Sequence, residues 1–398
     1  MKKILIINPQ VSAEYLYKQF VENDIYSVAL YPFYKEQVDK SLLPQEHWFD
    51  EQLFISPEQL DSFWLYLKAQ NFTYILNGAE ETTLLYDEIA NFLLPELANS
   101  ILTSNLRCNK YDAQQRLLEK NLGGIFSEKI TLLPFQQPNL DKDKIKYPIF
   151  CKPLHGCGSI NACKIENSQA LQVYLDKVTA DINQPIEYLI QEYINGYQVV
   201  VDTFSIHGDH FVSCCFISEQ YMVNGTPIYA SCEPLKDKVL WEKLKDYIKK
   251  VLSALDVKNG LAHSEIFITQ SGEFRFIELN NRIHGVQGAN LRASQMCGYR
   301  THIQLLIDFI LNKKVSDAMD ASAPKYGKVL FLSNFAKHDL AVYHDHFGKS
   351  PSVKEVILGH HDDDLSHSKV LYFVILINED QSQFKYDLEQ LLLLEQRL

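Results

Sequence analysis

No two of the eight cysteines form a CxxC pair, and none belongs to a Cys/His framework with zinc-like spacing. Neither a zinc module nor a dithiol redox site is expected. The thiols, including the adjacent Cys214 and Cys215, read as reduced and mostly buried. Basic charge is also scarce: 38 Lys and Arg stand against 50 Asp and Glu, a formal net charge of -12. Nucleic acid and anionic membranes are therefore not expected partners, because binding either requires concentrated positive charge. Long apolar runs are missing. The first, residues 4–7, stops at Asn8-Pro9 and is too short for a signal peptide core, and residues 370–377 are too few to cross a bilayer as a helix. A cytoplasmic chain is expected. No glycine follows the first strand, so a dinucleotide fingerprint is absent too, and there is no internal repeat or long low-complexity segment.

What is present is enough apolar residue for several cores: 46% of 398 residues are hydrophobic and 22% charged, which predicts more than one domain. The opening alternates strand and helix: "ILIIN", "AEYLYKQFVEND", "YSVALYPF", "PEQLDSFWLYLKAQ", "FTYILNG", "ETTLLYDEIANFLL". That alternation predicts a doubly wound α/β domain. Asn77, Gly78 and Glu80 then fall just past a strand's C-terminal end, where open α/β sheets bind ligands; a plain polar turn fits equally well. "VSDAMDASAP" reads as a linker to a tail with strands "KVLFLSNF" and "KVLYFVILIN" and a last helix. "HHDDDLSH" between those strands reads as a solvated loop.

The stretch "FRFIELNNRIHG", residues 274–285, has the apolar content of a buried strand, yet Glu278, Asn280 and Arg282 recur at every second place and share one face. Burying such groups is costly unless they are paired. "ITQSGEF" just before it signals a two-residue turn at Ser271-Gly272. With that turn Glu265 opposes Glu278 and His263 opposes Asn280. Facing carboxylates destabilise a sheet, so the pair calls for a cation. Two carboxylates and an amide oxygen suit Mg²⁺, and Arg282 can hold a phosphate as a bidentate donor. The register is the critical assumption: a three-residue loop would shift the pairing by one and turn Glu265 away.

Phosphate-binding elements occur elsewhere. "FCKPLHGCGSINACKI" reads as a strand carrying Lys152, a glycine turn with Gly156, Gly158 and Ser159, and a second strand, more like a flexible hairpin lid than a Walker A loop. "LIQEYINGYQVVVD" alone reads as a hairpin turning at Asn195-Gly196.

In their order along the chain, residues 75 to 315, these segments resemble the ATP-grasp superfamily, and within it the L-amino acid ligases that join a carboxylate to an amine. "RCNKYDAQQRLLEKNL" is similar to the family's first lysine segment, and "FCKPLHGCGSINA" to its Lys-Pro strand and lid. "IQEYINGYQ" is similar to the interlobe hinge, and "AHSEIFITQSGEFRFIELNNRIHG" to the metal segment. The resemblance implies ATP and Mg²⁺ as cofactors, with two ions and Mn²⁺ as a substitute. It implies Lys110, Lys152, Gly156, Gly158, Ser159, Gln191, Glu192, Ile194 and Gln198 at the nucleotide, and Glu265, Glu278 and Asn280 at the metal. Arg282 and His263 would be the catalytic residues. Gln198 stands where many relatives carry Glu, Asn281 where Pro or Ala is common, and His284 where a small or apolar residue is usual.

The implied fold is α/β and α+β. It has an N-terminal doubly wound pre-ATP-grasp domain (1–105), a two-lobed ATP-grasp domain (106–318, lid about 125–195) and a small C-terminal β-containing α+β subdomain (325–398). The implied activity is an ATP-dependent ligase forming a C–N bond through an acyl phosphate. A carboxylase-like or kinase-like enzyme, or a nucleotide-binding regulatory module, is the alternative. Partners would be small carboxylate and amine substrates, amino acids first among them. Arg292 and Arg300 are candidates for a substrate carboxylate, and the tail strands for a cover over the site or a homodimer contact.

Overall fold

The computed structural model describes residues 2–10, 12–33, 45, 47–56, 59–136, 138, 140, 145–156, 161–317, 325–333, 340–359 and 370–395. Its first unit runs β1 (Lys2–Ile7), α1 (Ala13–Val21), β2 (Ile25–Tyr31), β3 (Glu51–Phe54), α2 (Leu60–Ala69), β4 (Tyr74–Asn77) and α3 (Thr83–Leu93). The four strands form a parallel sheet in the order β3-β2-β1-β4. β1 is apolar without alternation because both of its faces are covered. Ile4 and Ile6 join one hydrophobic core, and Leu5 and Ile7 the other. The short β3, of which every residue is only half-buried, lacks the apolar run that marked the other strands and was not legible in the sequence. After β1 the chain places β2 and β3 on one side and β4 on the other, and the chain just past the C-terminal ends of β1 and β4 meets closely. A Cβ on Gly78 would lie 2.6 Å from the Pro9 backbone.

The connection α4 (Asn105–Cys108) and α5 (Lys110–Glu119) leaves this unit over a buried ion pair. Arg107 donates to Asp87 at 2.7 Å with neither side chain exposed. Arg107 also reaches the carbonyls of Ser100 and Asp256, tying α3 to a later part of the chain. Asn109 caps α5 by accepting from the N–H groups of Tyr111 and Asp112.

The segment read above as a lid follows as β5 (Ser127–Leu132), β6 (Ile149–Pro153), β7 (Cys163–Ile165), α6 (Ser168–Asp181) and β8 (Ile186–Glu192), an antiparallel sheet in the order β5-β8-β6-β7. The chain then crosses to a second sheet: β9 (Gly196–Ile206), β10 (Asp209–Val223), β11 (Thr226–Pro234), α7 (Lys238–Ala254), β12 (Gly260–Thr269), β13 (Phe274–Asn280), α8 (Ala289–Met296) and α9 (His302–Ile310). The expected hairpin at Asn195-Gly196 does not form, since β8 and β9 belong to different sheets. Gly196 is required for another reason: a Cβ there would lie 2.3 Å from the Ile268 carbonyl, where the crossing strand meets β12.

The tail adds β14 (Tyr326–Leu332), α10 (Leu340–Lys349), β15 (Val353–Leu358), β16 (Tyr372–Asn378) and α11 (Gln381–Leu394). Its strands continue the second sheet, which runs β13-β12-β9-β10-β11-β14-β16-β15, with β14 hydrogen-bonded to β11. The sequence reading missed β11, which has a proline at its second and at its last position, as well as β15 and α10. The "HHDDDLSH" stretch lies outside the described residues.

Candidate active site

One face of the second sheet carries polar side chains across three adjacent strands. Asp202 of β9 is directly opposite His263 of β12, and His263 is opposite Asn280 of β13. One step along, Val200, Glu265 and Glu278 form the next row. The other face is apolar: Val199, Val201, Ala262 and Leu279 pack beneath α7 in one core. Alternation along each strand therefore sends the carboxylates one way and the aliphatic side chains the other.

Glu265 pairs with Glu278 as expected, but by a different route. The loop between β12 and β13 contains three residues, because Thr269 N–H donates to Glu273 O and Gly272 N–H returns to Thr269 O. Gly272 takes the left-handed conformation such a loop needs, at φ 82°. Pairing next to the turn, Ile266 with Phe276, is accordingly shifted by one. The shift is undone at Ile277, which has no partner across the ladder and forms a bulge, so that Glu265 again meets Glu278. The bulge puts Ile277 and Glu278 on the same cleft wall. Its carbonyls are satisfied by the fully buried Gln114 of α5, whose amide donates to Phe276 O at 2.9 Å and Ile277 O at 2.8 Å and accepts from Ile125 N–H.

Cations gather around the paired carboxylates. Lys152 Nζ lies 3.4 Å and Lys110 Nζ 3.7 Å from Glu278 Oε2, and Lys110 also lies 3.5 Å from Glu80. Burial pushes the Glu278 carboxyl up, but Lys110, Lys152 and Arg282 outweigh it and hold it at about 2. For Lys110, burial acts to lower the pKa and the two glutamates more than compensate, so the ammonium is kept charged. Glu80 is pushed above the usual carboxylate range, chiefly by burial. Lys110 also donates to Gly156 O at 2.8 Å, which fastens the near end of the lid turn. Gly158 and Ser159, expected at the tip of that turn, lie outside the described residues.

Arg282 donates to Asn280 Oδ1 at 3.1 Å and to Ile283 O, and the segment around it is held from the first unit. Asn77 donates to Asn281 O, and Ser12 donates to His284 O at 2.6 Å and to Gly285 O at 2.9 Å. Asn77 thus acts as a structural tie at the strand end where ligand binding was one of two expectations. Gln198 donates to Glu265 Oε2 at 2.8 Å and accepts from Gln220, so its amide braces a carboxylate.

Above this floor lies a cleft of about 580 Å³ between lid and sheet, lined by Lys110, Lys152, Gln198, Glu265, Glu278, Asn280 and Arg282. Its apolar walls are Ile125 and Phe150 on one side and Ile217, Phe267 and Ile277 on the other, a slot suited to a planar ring. Gln191, Glu192 and Ile194 line it at the crossing between sheets, with the Gln191 amide donating to Ser127 Oγ. His263, expected to be catalytic, is not among the residues lining the cleft. It stands behind Glu265, its Nε2 3.8 Å from Glu265 Oε1. Arg292 and Arg300 are not in the cleft either, which corrects the expectation that they hold a substrate. Arg292 pairs with Glu355 and Glu14, and Arg300 with Asp308.

Residues 145–290, which hold the lid strands, the crossing and both carboxylates, match the family model described as the ATP-grasp domain. The chain carries an ATP-grasp domain. Beyond that segment, dapdiamide A synthase of Enterobacter agglomerans is 25% identical over 297 residues, 69% of this chain and 67% of its own length. D-alanine–D-alanine ligase B of Clostridium perfringens is 23% identical over 236 residues, 56% of this chain and 74% of its own. Among solved structures, the L-amino acid ligase from Bacillus licheniformis superposes with a TM-score of 0.71 at 15% identity, covering 98% of this chain and 97% of that one. N5-carboxyaminoimidazole synthetase from Staphylococcus aureus complexed with ADP gives 0.68 at 16% identity, covering 99% and 98%. The architecture of the described residues, including the tail strands, is therefore that of these two solved structures.

Around the ATP-grasp cleft, three residues escaped the sequence reading: Asp202, Gln114 and Ser12. For Asp202 a signal existed. It sits inside the apolar run "VVVDTFS", the same anomaly that drew attention to Glu278. Gln114 and Ser12 act on partners 162 and 272 residues away, and nothing local marks them.

Proposed function

We propose that the protein is an ATP-dependent ligase that joins a small carboxylate to an amine through an acyl phosphate, releasing ADP and phosphate. The observation that carries this reading is the facing pair Glu265 and Glu278, with Asn280, surrounded by Lys110, Lys152 and Arg282 at the floor of an interlobe cleft. Mere nucleotide binding does not require two carboxylates directly opposed in a sheet.

The donor set is all oxygen and fits Mg²⁺, with Glu265, Glu278 and Asn280 as its holders and two ions as the expected number; Mn²⁺ is an acceptable substitute. When bound, Mg²⁺ supplies charge neutralisation for the triphosphate. The apolar slot takes the purine, and the backbone at Glu192 and Ile194 reads its edge. Lys110 and Lys152 hold phosphate oxygens beside Gly156. Arg282 stabilises the transferring γ-phosphoryl group as the substrate carboxylate oxygen attacks it. An amine then attacks the carbonyl carbon of the acyl phosphate, the C–N bond forms, and phosphate leaves. Closure of the lid over the cleft excludes water, which would otherwise hydrolyse the mixed anhydride.

The similarity to dapdiamide A synthase, a D-alanine–D-alanine ligase and an L-amino acid ligase supports amino acids as the first substrates to try. A phosphate-release screen over amino acid pairs with Mg·ATP tests the reading. Release is expected only when carboxylate and amine are both present; release that instead requires bicarbonate, or phosphate retained on the product, contradicts it.

A further inference from the structure

Three imidazole rings converge on one fully buried carboxylate. Asp202 receives His263 Nδ1 at 3.0 Å and His284 Nδ1 at 2.8 Å, and His302 Nδ1 lies 3.4 Å from it. The opposite nitrogens indicate where the protons lie. His284 Nε2 faces the Asn290 amide nitrogen, a donor, at 2.9 Å, and His302 Nε2 accepts from the His284 backbone N–H at 3.4 Å. In their neutral forms both rings therefore carry the proton on Nδ1, the nitrogen turned to Asp202. Burial pushes the Asp202 carboxyl up, but the histidines outweigh it and hold it well below the usual range. Burial draws His284 down to about 4, leaving it a neutral donor at pH 7.

Asp202, His263 and His284 also place ligand atoms within 4.8 Å of one another, close enough for a metal ion. The hydrogen-bond pattern argues otherwise: the nitrogens that would ligate are the ones donating to the carboxylate. What the cluster does touch is the ATP-grasp floor. His263 directly faces Asp202 on one side and Asn280 on the other, with its Nε2 turned to Glu265. His284 lies two residues beyond Arg282, in the segment that Ser12 and Asn77 hold from the opposite side.

We propose that Asp202 is a positioning residue for phosphoryl transfer, fixing Glu265 through His263 and, through His284, the loop that carries Arg282. This rests on the reading of Glu265 as a metal ligand. A histidine locked by a carboxylate presents its other nitrogen in one direction, and loss of such an outer partner weakens metal binding about 10- to 100-fold in well-studied sites.

The test uses the full chain, Mn²⁺ and ADP, with the half-saturating Mn²⁺ concentration read by electron paramagnetic resonance and ADP affinity read separately in EDTA. Asp202→Asn is expected to raise the half-saturating Mn²⁺ about tenfold, leave metal-free ADP affinity unchanged, and follow the direction of Glu265→Gln. If Glu265→Gln weakens Mn²⁺ binding and Asp202→Asn does not, the proposal is overturned while the reading of Glu265 stands. If neither does, that reading itself falls and the proposal with it. Should Asp202→Asn fail to fold, His263→Asn decides, since its amide keeps a donor toward Asp202 and it lacks the Nε2 side of the ring: the same rise supports the proposal, and unchanged Mn²⁺ binding overturns it. Mn²⁺ or Zn²⁺ bound by the Glu265→Gln protein and lost with Asp202→Asn would show a metal centre in place of a hydrogen-bonded hub, and would also overturn it.

Discussion

Glu278 meets Glu265 only because Ile277 bulges from β13 and cancels the one-residue shift introduced by a three-residue turn. Gln114 sustains that correction by satisfying the bulge carbonyls. Gln114→Leu would leave the Phe276 and Ile277 carbonyls and the Ile125 N–H without this partner, at about 1–3 kcal/mol for each buried group left unpaired. Denaturant unfolding should show a loss of at least that size, with phosphate release falling in the fraction that remains folded. Unchanged stability would mean that the bulge holds without Gln114.

Glu278 is flanked by Lys110 and Lys152, and the three act as one electrostatic unit. Glu278→Gln is expected to lower ATP turnover about a hundredfold or more, the scale of losing a preorganised charge at the reacting centre. Lys152→Met should weaken ADP binding about tenfold or more, as for one charge-assisted hydrogen bond. Because all three touch, the double variant should lose less than the sum of its singles. Calorimetric ADP titration and initial rates check each arm, and strict additivity would contradict the coupling.

Arg107 and Asp87 form a pair with no exposed side-chain surface where α4 leaves the first unit. Asp87→Ala leaves a buried guanidinium without its counter-ion and is expected to cost about 3–5 kcal/mol. Guanidinium-induced unfolding measures this; a change well under that range would mean that the Ser100 and Asp256 carbonyls suffice for Arg107.

His210 sits buried between Ser205 and Ser253. Burial first, then the charge of Lys249, draws its pKa from the ordinary 6.5 down to about 4, with Asp209 opposing. The unfolded chain takes up this proton near pH 6.5 and the folded chain only near pH 4. The contribution of His210 is therefore complete above pH 6.5 and lost as the pH falls toward 4, about 3 kcal/mol over the interval. His210→Gln should flatten the stability curve between those two values. An equally steep acid loss in that variant would remove His210 as its source.

Much of the site could be read from the sequence because its residues recur with a fixed period. Glu278 and Asn280 alternate at the end of β13, beyond the bulge, and Arg282 keeps the same spacing two residues past the strand. The turn was misread: Ser271-Gly272 has two-residue turn chemistry, and a third loop residue and the bulge cancelled each other, so the pairing came out right for an incomplete reason. The role of Asn195-Gly196 also lay outside local reach, because whether two strands pair or part depends on contacts such as Gly196 against Ile268. Sheet order in the tail followed the same rule. The apolar run of β16 announced a strand, but its place beyond β14 is fixed only by long-range pairing.

The central claim is that a substrate carboxylate oxygen attacks the γ-phosphorus of ATP before the amine arrives. Supplying the carboxylate substrate labelled with ¹⁸O and analysing released phosphate by mass spectrometry tests this most directly. The account predicts one ¹⁸O atom in each phosphate released, in step with the amide formed. Amide formation accompanied by unlabelled phosphate would contradict it.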